Sequence, residues 1–297
     1  MATRTAAGAY FPAELASDMF LAVAGHSSLA KLSAQKPIPF NGEAVFTFSG
    51  AGEASIVGEG GNKPAGAADV ASVTIRPVKF VYQHRVSNEF IYNAESKLSY
   101  LEGFAEAFAR VIARGLDIAA IHGINPADRS DASFKATNSL DGLVTNTVTY
   151  VAANVDANID AAVQAVIADG GVVNGIALDP TASAALAAIK VNGVPQYPEY
   201  RFGQNPDAFY GMGSDVNGTI GKTGTASGAQ HDLAVVGDFQ NAFRWGYAKN
   251  IPLEVIEYGD PDGQGDLKRK NQIVLRTEAY IGFGILNPDA FSRIISE

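Results

Sequence analysis

Lys222 is the residue whose surroundings most resemble a nucleotide-binding motif. It lies in VNGTIGKTGT at Val216–Thr225, where Gly221, Lys222 and Thr223 match the end of the phosphate-loop pattern GxxxxGK[ST]. The first glycine of that pattern lets backbone N–H groups wrap around a phosphate, but Val216 occupies its position here. The preceding YGMGSD does not have the pattern of a strand, and no helical pattern follows. We therefore expect a plain surface loop rather than a nucleotide site.

Lys222 also belongs to a pair of motifs found in serine acyl enzymes. Lys222–Gly224 reads KTG and Ser28–Lys31 reads SLAK, a match to SxxK, but no SDN lies between them. We expect Ser28 to be too near the start of the chain to begin a helix buried inside a domain. Chance matches are the favoured interpretation, and a phosphate-loop or serine-acyl enzyme using Lys222 is kept as the alternative function.

No other group of residues has the spacing of a catalytic or metal site. The four histidines (His26, His84, His122 and His231) are scattered singly, which is typical of packing or surface residues. DPDGQGD at Asp260–Asp266 departs from the calcium-loop pattern and predicts a hairpin turn instead. We therefore predict no catalytic residue, no cofactor and no metal site.

The composition indicates a protein that buries part of its surface in contacts with partners. The 297 residues are 47% hydrophobic and only 18% charged, below the roughly 25% charged residues usual in soluble domains. The net charge of −9 and the lack of a dense basic run argue against tight nucleic-acid binding, since LKRK at Leu267–Lys270 follows an acidic loop. We expect no membrane span, no signal peptide and, without cysteine, folding in a reducing cytosol.

The first half of the chain predicts a long hairpin and a long helix. VGEGGNKPAG at Val57–Gly66 separates two strand-like alternating segments, Ala44–Gly50 and Asp69–Ser87. A hairpin of this size cannot bury both of its faces and must pack against another part of the protein or another chain. Ser96–Ile121 then keeps apolar residues at helical spacing over an unusual length.

The second half of the chain alternates helices and strands. VDANIDAAVQAVIADGG predicts a helix capped by Asp156, and VVNGIAL predicts a short buried strand. DPTASAALAAIK predicts a helix with Asp179 as N-cap and Pro180 at the first helical position. Four strands should close the chain: HDLAVVGDF, FRWGYAKN, IPLEVIEYG and NQIVLRTEAYIGFGIL.

This order of parts resembles the major capsid proteins of tailed bacteriophages, whose fold was first seen in phage Hong Kong 97. The resemblance rests on VGEGGNKP, on VSNEF before a long helix, on the helix start DPTASAAL, and on GDF before the final strands. It covers about Pro39–Phe291. No single motif is specific, but the combination in this order is.

The resemblance implies an α+β capsid fold with an N-terminal arm, an extended hairpin loop, a peripheral domain with a long spine helix, and an α/β axial domain. The implied boundaries are 1–38 for the arm, 39–87 for the extended loop, 88–144 and 240–284 for the peripheral domain, and 145–239 and 285–297 for the axial domain. The implied function is self-assembly into pentamers and hexamers of an icosahedral virion shell around double-stranded DNA.

The resemblance also implies how the loop tip works and which partners the shell needs. Glu59, Asn62 and Lys63 become contact residues on the next subunit. Some capsid proteins form an isopeptide bond from a loop lysine, but the asparagine and glutamate partners cannot be matched here, so ordinary ion pairs are favoured for Glu59 and Lys63. About 38 residues precede the implied core, which implies a separate scaffold protein or an already mature chain. A portal protein, weak non-specific contact with DNA and assembly in the bacterial cytoplasm are also implied.

An encapsulin-type compartment shares this fold and is the nearest alternative. Encapsulins enclose a cargo enzyme instead of DNA, and their extended loop is usually shorter and differently placed. The long VGEGGNKP hairpin therefore favours the viral shell.

Overall fold

The computed structural model describes residues 26–51, 54–65, 67–89, 94–221 and 231–296. The described part of the chain forms six α-helices and thirteen strands, joined by short 3₁₀ turns. The helices are α1 Ser28–Leu32, α2 Ala94–His122, α3 Lys135–Asn138, α4 Leu140–Leu143, α5 Val155–Ala168 and α6 Pro180–Ala188. The strands are β1 Glu43–Ala51, β2 Ala67–Ile75, β3 Pro77–Ser87, β4 Thr147–Thr149, β5 Gly175–Leu178, β6 Lys190–Val191, β7 Val194–Pro195, β8 Ala208–Phe209, β9 Met212–Val216, β10 Asp232–Gly237, β11 Phe243–Ile256, β12 Gln272–Ile285 and β13 Phe291–Ile295.

Two sheets organise the molecule. Strands β11, β12 and β3 form a three-stranded antiparallel sheet, and a six-stranded mixed sheet has the order β4-β13-β10-β5-β9-β8. Strands β1 and β2 pair only with each other, as an antiparallel hairpin that extends from the three-stranded sheet. The predicted α+β architecture is present.

The helix α2 has 29 residues and therefore spans about 44 Å. It confirms the helix predicted over Ser96–Ile121. Its buried face, which includes Phe108, Ile112 and Leu116, belongs to one apolar cluster with Phe80 of β3 and residues of β12. The three-stranded sheet and α2 therefore share one core, which makes α2 the strut of this part of the molecule.

Both faces of the six-stranded sheet are buried. In β10, Ala234 and Val236 pack with α5 and α6, whereas Val235 between them packs in the cluster that contains α2. Alternate residues thus enter different cores, which explains why HDLAVV and GIAL are apolar runs rather than apolar–polar alternations.

Local capping accounts for the start of α6, whereas the N-cap of α5 makes no side-chain hydrogen bond. The Asp179 carboxylate accepts a 2.7 Å hydrogen bond from the Thr181 N–H, and Pro180 is the first helical residue, as predicted. The expected cap at Asp156 is wrong by two positions. Asn154 is the N-cap of α5, and Asp156 lies in the first turn, where its charge favours the helix dipole.

The strand predicted over Asp69–Ser87 is divided at Arg76 into β2 and β3. Strand β2 pairs with β1, whereas β3 pairs with β12 from Pro77 to Ser87. Proline has no N–H to donate and has a restricted φ, so the hydrogen-bond ladder changes partner at this position. Conversely, the two strands that were expected on either side of Asn250 form a single strand, β11. Its register with β12 is irregular after Tyr247 and after Ile251.

Asp117 on α2 anchors the short helix α1. Its carboxylate accepts hydrogen bonds from Ser27 Oγ at 2.5 Å, from the Ser28 and Leu29 N–H groups at 3.0 and 3.3 Å, and from Thr219 Oγ1 at 2.9 Å. Burial raises the pKa of Asp117 to about 6, although these hydrogen bonds oppose the shift. One side chain therefore joins α1, α2 and the loop after β9.

Replacing Asp117 by alanine should lower the free energy of unfolding by about 3 kcal/mol, because several buried donors lose their acceptor. Trp245 is buried and is the only tryptophan, so denaturant unfolding can be followed by its fluorescence. Asp160→Ala, at an exposed position of α5, is the matched control and should change stability by less than about 0.5 kcal/mol. Equal midpoints for the two variants would contradict this role of Asp117.

Candidate functional site

The tip of the β1–β2 hairpin is fully exposed. Residues 54–65 connect the strands, and a turn closes where the Gly61 N–H donates to the Gly58 carbonyl at 3.0 Å, with Gly60 at a φ of +77°. Glu59, Asn62 and Lys63 lie together on and just after this turn. Among the described residues these three side chains form no hydrogen bond or ion pair, so their polar groups face outward.

The hairpin carries large apolar side chains that no other described residue covers. Phe46 is opposite Ser72 in the register and is 65% exposed, and Val70 on the same face is 57% exposed. Nearer the tip, the Ile56 side chain is completely exposed. A two-stranded hairpin has no core of its own, and large exposed apolar residues on one such element are consistent with an interaction surface.

The base of the hairpin packs directly against two glycines of β12. Ile75 at the end of β2 is completely buried and packs over Gly282 and Gly284. A Cβ added at Gly282 would lie 3.1 Å from Ile75 and 2.9 Å from Ile38, and one at Gly284 would lie 2.8 Å from Ile75. The missing side chains thus allow two isoleucines to approach the sheet closely.

Two polar contacts join the same base to the sheet. Asn138 Nδ2 donates to the Thr74 carbonyl at 3.2 Å and to the Phe283 carbonyl at 3.0 Å. Arg244 Nη2 lies 2.9 Å from Glu43 Oε2, at the first residue of β1. Both strands of the hairpin are therefore joined to the three-stranded sheet at their base, and the tip extends from a rigid support.

The segment before the hairpin runs along the edge of β11. The Lys36 N–H donates to the Trp245 carbonyl at 2.9 Å, and the Ile38 N–H lies 3.5 Å from the Tyr247 carbonyl. Gly246 makes this approach possible, because a Cβ there would lie 1.8 Å from the Lys36 carbonyl oxygen. The segment, the hairpin base and the sheet form one unit.

Ser28 and Lys31 do not form a catalytic pair. Contrary to our expectation, Ser28 does begin a buried helix, because Ser27 caps α1 and Asp117 satisfies its first N–H groups. Ser28 Oγ donates to Asp215 Oδ2 at 2.5 Å, and Lys31 Nζ lies 3.1 Å from Asp215 Oδ1. Burial opposes the charge of Lys31, but hydrogen bonds to Asp207 and Asp215 hold its pKa above the ordinary value, so it does not act as a base.

Lys222 lies outside the described residues. The expectation that no strand precedes its loop is wrong, because Met212–Val216 is strand β9, parallel to β5. The apolar pattern of MGSDV is too weak to reveal a strand, and its pairing partner lies elsewhere in the chain. The phosphate-loop pattern still lacks its first glycine.

The acidic loop between β11 and β12 closes around Arg85. The Arg85 guanidinium donates to both Asp262 carboxylate oxygens and, at 2.9 Å, to the Gly265 carbonyl. The basic residues Lys268–Lys270 form a short exposed 3₁₀ turn nearby. This arrangement is the hairpin turn that the sequence predicted for DPDGQGD.

His122 belongs to a buried cluster that the sequence did not reveal. His122, Asp141 and Asp232 offer three potential ligand atoms within 4.8 Å of one another. The Arg293 guanidinium already lies 2.8 Å from Asp141 Oδ1 and 3.0 Å from Asp232 Oδ1, so the arrangement is an ion-pair network rather than an open cation site. No local pattern reveals the cluster, because His122, Asp141, Asp232 and Arg293 belong to four different elements.

A second exposed apolar region lies at the far end of the six-stranded sheet. Phe202 is 90% exposed and Tyr210 is 81% exposed, and both have a left-handed φ, of 61° and 48°. Aromatic residues rarely adopt this conformation, and backbone strain of this kind concentrates at functional positions. Among the described residues, no helix combines the length and apolar character needed to cross a membrane.

Comparison with known proteins gives one family and a set of similar structures. The model of the phage capsid family matches residues 7–294. A solved structure from Mycobacterium phage Ogopogo is 34% identical, covering 92% of both chains with a TM-score of 0.80, and one from Gordonia phage Cozz is 27% identical, covering 92% of this chain and 87% of that one with a TM-score of 0.76. The capsid of a native GTA particle shares the fold at 14% identity, 92% and 90% coverage and a TM-score of 0.62. A search of curated proteins gives no match.

Replacing Gly246 by alanine should detach the segment before the hairpin, because the new Cβ would collide with the Lys36 carbonyl. We expect the Lys36 and Ile38 amides to exchange with solvent at least about tenfold faster, which hydrogen-exchange mass spectrometry can measure. Gly103→Ala is the matched control, since a Cβ there meets no atom within 4 Å. Unchanged exchange in Gly246→Ala would show that the close approach does not hold the segment.

Proposed function

The chain belongs to the phage capsid family, and from that membership we propose that its hairpin joins neighbouring copies into the pentamers and hexamers of an icosahedral shell. The chain is a major capsid protein with a Hong Kong 97-like fold; it forms the head shell, and it is a structural protein, not an enzyme. The encapsulin alternative is not favoured by these matches.

The exposed apolar hairpin is the observation that carries this proposal. Phe46, Val70 and Ile56 extend along the hairpin without cover from the rest of the described chain, while Ile75 and Glu43 hold its base in place. A rigid arm with an uncovered apolar face suits contact with a second copy of the same chain. Burial of these side chains against that copy would supply the free energy that the isolated hairpin lacks.

Glu59, Asn62 and Lys63 are the contact residues that we propose at the tip. All three are exposed, and the turn at Gly58–Gly61 presents them on the outermost part of the arm. A surface ion pair contributes only about 0–1 kcal/mol, but a shell repeats each contact many times. In this proposal Lys63 forms ordinary ion pairs and no covalent bond.

The proposed domains follow the two sheets except at β3, which lies in the range of the extended loop but pairs with β12. We infer that residues 1–38 are an arm, 39–87 an extended loop, 88–144 and 240–284 a peripheral domain, and 145–239 and 285–297 an axial domain. The three-stranded sheet with α2, and the six-stranded sheet with α5 and α6, support this division. Exposed Phe202 and Tyr210 suit contacts around the symmetry axis of a capsomer.

The proposal includes further partners and a place of assembly. Within it, shells assemble in the bacterial host cytoplasm with a portal protein and a separate scaffold protein, and they enclose double-stranded DNA. The net charge of −9 supports a shell that contains DNA by weak non-specific contact instead of binding it tightly.

Deleting Gly58–Ala65 should leave the subunit folded but unable to form stable shells, because the arm then loses its outermost contacts. Circular dichroism reports the fold, and size-exclusion chromatography with negative-stain microscopy reports the shells. A variant with alanine at Glu59, Asn62 and Lys63 keeps the length of the tip and should lose less shell yield than the deletion. Normal assembly of the deletion variant would refute the proposed role of the arm.

Boiled shells should run as a single band at the monomer mass on a denaturing gel, because ordinary ion pairs do not survive denaturation. Lys63→Arg is the matched control, since arginine keeps the charge but does not form the isopeptide bond. A ladder of covalent oligomers that disappears in Lys63→Arg would instead establish cross-linking at this position.

A further inference from the structure

The buried cluster around His122 joins four elements of the fold. His122 is the last residue of α2, Asp141 lies in α4, Asp232 begins β10 and Arg293 lies in β13. His122 Nδ1 is 3.0 Å from Asp141 Oδ2, and the Arg293 Nη2 atom bridges the two aspartates at 2.8 and 3.0 Å. The side chains of His122 and Asp232 are 1% and 0% exposed. The cluster therefore connects the strut helix α2 directly to the six-stranded sheet.

The hydrogen bonds of His122 define its protonation state. Its Nε2 lies 2.9 Å from the Thr219 carbonyl oxygen, which only accepts, so Nε2 carries a proton. Its Nδ1 faces Asp141, whose other oxygen is paired with Arg293, so this carboxylate is ionised and Nδ1 also carries a proton. These contacts fit an imidazolium at His122, which together with Arg293 compensates the buried carboxylate of Asp141.

The surroundings favour the protonated forms of His122 and Asp232 and the ionised form of Asp141. Burial alone would lower the pKa of His122, but the hydrogen bond and charge of Asp141, with the charge of Asp232, raise it above the ordinary value. Burial and the neighbouring Asp141 raise the pKa of Asp232 to about 7, against the opposing effect of Arg293. The pKa of Asp141 is instead lowered: burial would raise it, but His122 and Arg293 outweigh that effect.

Few other titratable groups face the cluster in the described part of the chain. Asp117, one turn earlier on α2, reaches the same loop through the Thr219 hydroxyl. His231, next to Asp232, is paired with Ser296. Asp117 titrates in the same direction as the cluster, so a variant of His122 should remove part, not all, of any pH dependence.

We propose that this cluster is a proton-dependent lock between α2 and the six-stranded sheet. While His122 carries both protons and Asp232 also holds its proton, no carboxylate of the cluster lacks a compensating cation, and the end of α2 is held against β10 and β13. Loss of these protons leaves two buried carboxylates against one guanidinium, and the junction loosens, because an uncompensated buried charge is strongly destabilising. The lock goes beyond the contacts proposed for the hairpin.

The direction of the pH effect follows from the raised pKa values. A group that holds its proton more tightly in the folded state stabilises the fold most at low pH, and this stability is lost as pH rises through the folded-state pKa. For Asp232 the loss spans pH 4 to about 7, and for His122 it begins above about 6.5. The junction should therefore be firmer at pH 6 than at pH 8.5.

Thermal unfolding between pH 5.5 and 9, at constant ionic strength, tests the lock in the purified full-length protein. The wild-type midpoint should fall as pH rises through neutrality. His122→Gln keeps a donor near Thr219 but does not titrate, so its unfolding should release about one proton fewer over this range. His26→Gln, at an exposed position, should keep the wild-type pH dependence. Equal pH dependence of the wild type and His122→Gln would overturn the proposal.

Two further measurements keep the proposal testable if His122→Gln does not fold. Asp232→Asn has nearly the same shape without a titrating carboxylate, and it should also flatten the pH dependence. Solid-state ¹⁵N NMR of histidine-labelled wild-type protein reads the ring directly: at pH 6 one buried histidine should have both nitrogens protonated. A neutral His122 ring at pH 6 would refute the lock whatever the role of the hairpin in assembly.

Discussion

The close approach of Ile75 and Ile38 to the glycines of β12 is the constraint on which the exposed arm depends. A two-stranded hairpin has no core, so its direction is set where it joins the sheet. At Gly282 and Gly284 even a methyl group would come within about 3 Å of these isoleucines, and at Gly246 it would meet the Lys36 backbone. The absence of three side chains therefore makes a flexible pair of strands into a directed arm.

Local signals in the sequence were enough to predict much of this architecture. The alternation in β1, the long apolar stripe of α2 and the Asp179–Pro180 helix start each depend on neighbouring residues, and the resemblance in order of parts indicated the family. The break at Arg76 and the buried helix at Ser28 were not predictable in this way. The first depends on β12, some two hundred residues later, and the second on carboxylates at Asp117 and Asp215. Pairing across long sequence distances overrides local pattern.

The buried charges show the same limit at the level of chemistry. His122 alone resembles a packing residue, and only the fold brings it within hydrogen-bond distance of Asp141 and the Thr219 carbonyl. Such networks usually contribute less to stability than apolar packing, yet removal of one member is costly. The base of the hairpin is thus held mainly by the close packing of Ile75. The contact between α2 and the six-stranded sheet is, in our proposal, held by buried charges.

The two kinds of residue on the arm differ in what they can contribute to a contact. Phe46 and Val70 each leave more than half of the side chain exposed, so covering them would contribute roughly 1–2 kcal/mol apiece. An exposed pair involving Glu59 or Lys63 contributes about 0–1 kcal/mol and weakens with salt. In the proposed assembly, the strength of the contact would come from the strands, whereas the tip would determine which surface is recognised. A shell built in this way can adjust its tips in different surroundings without losing most of the free energy that holds it together.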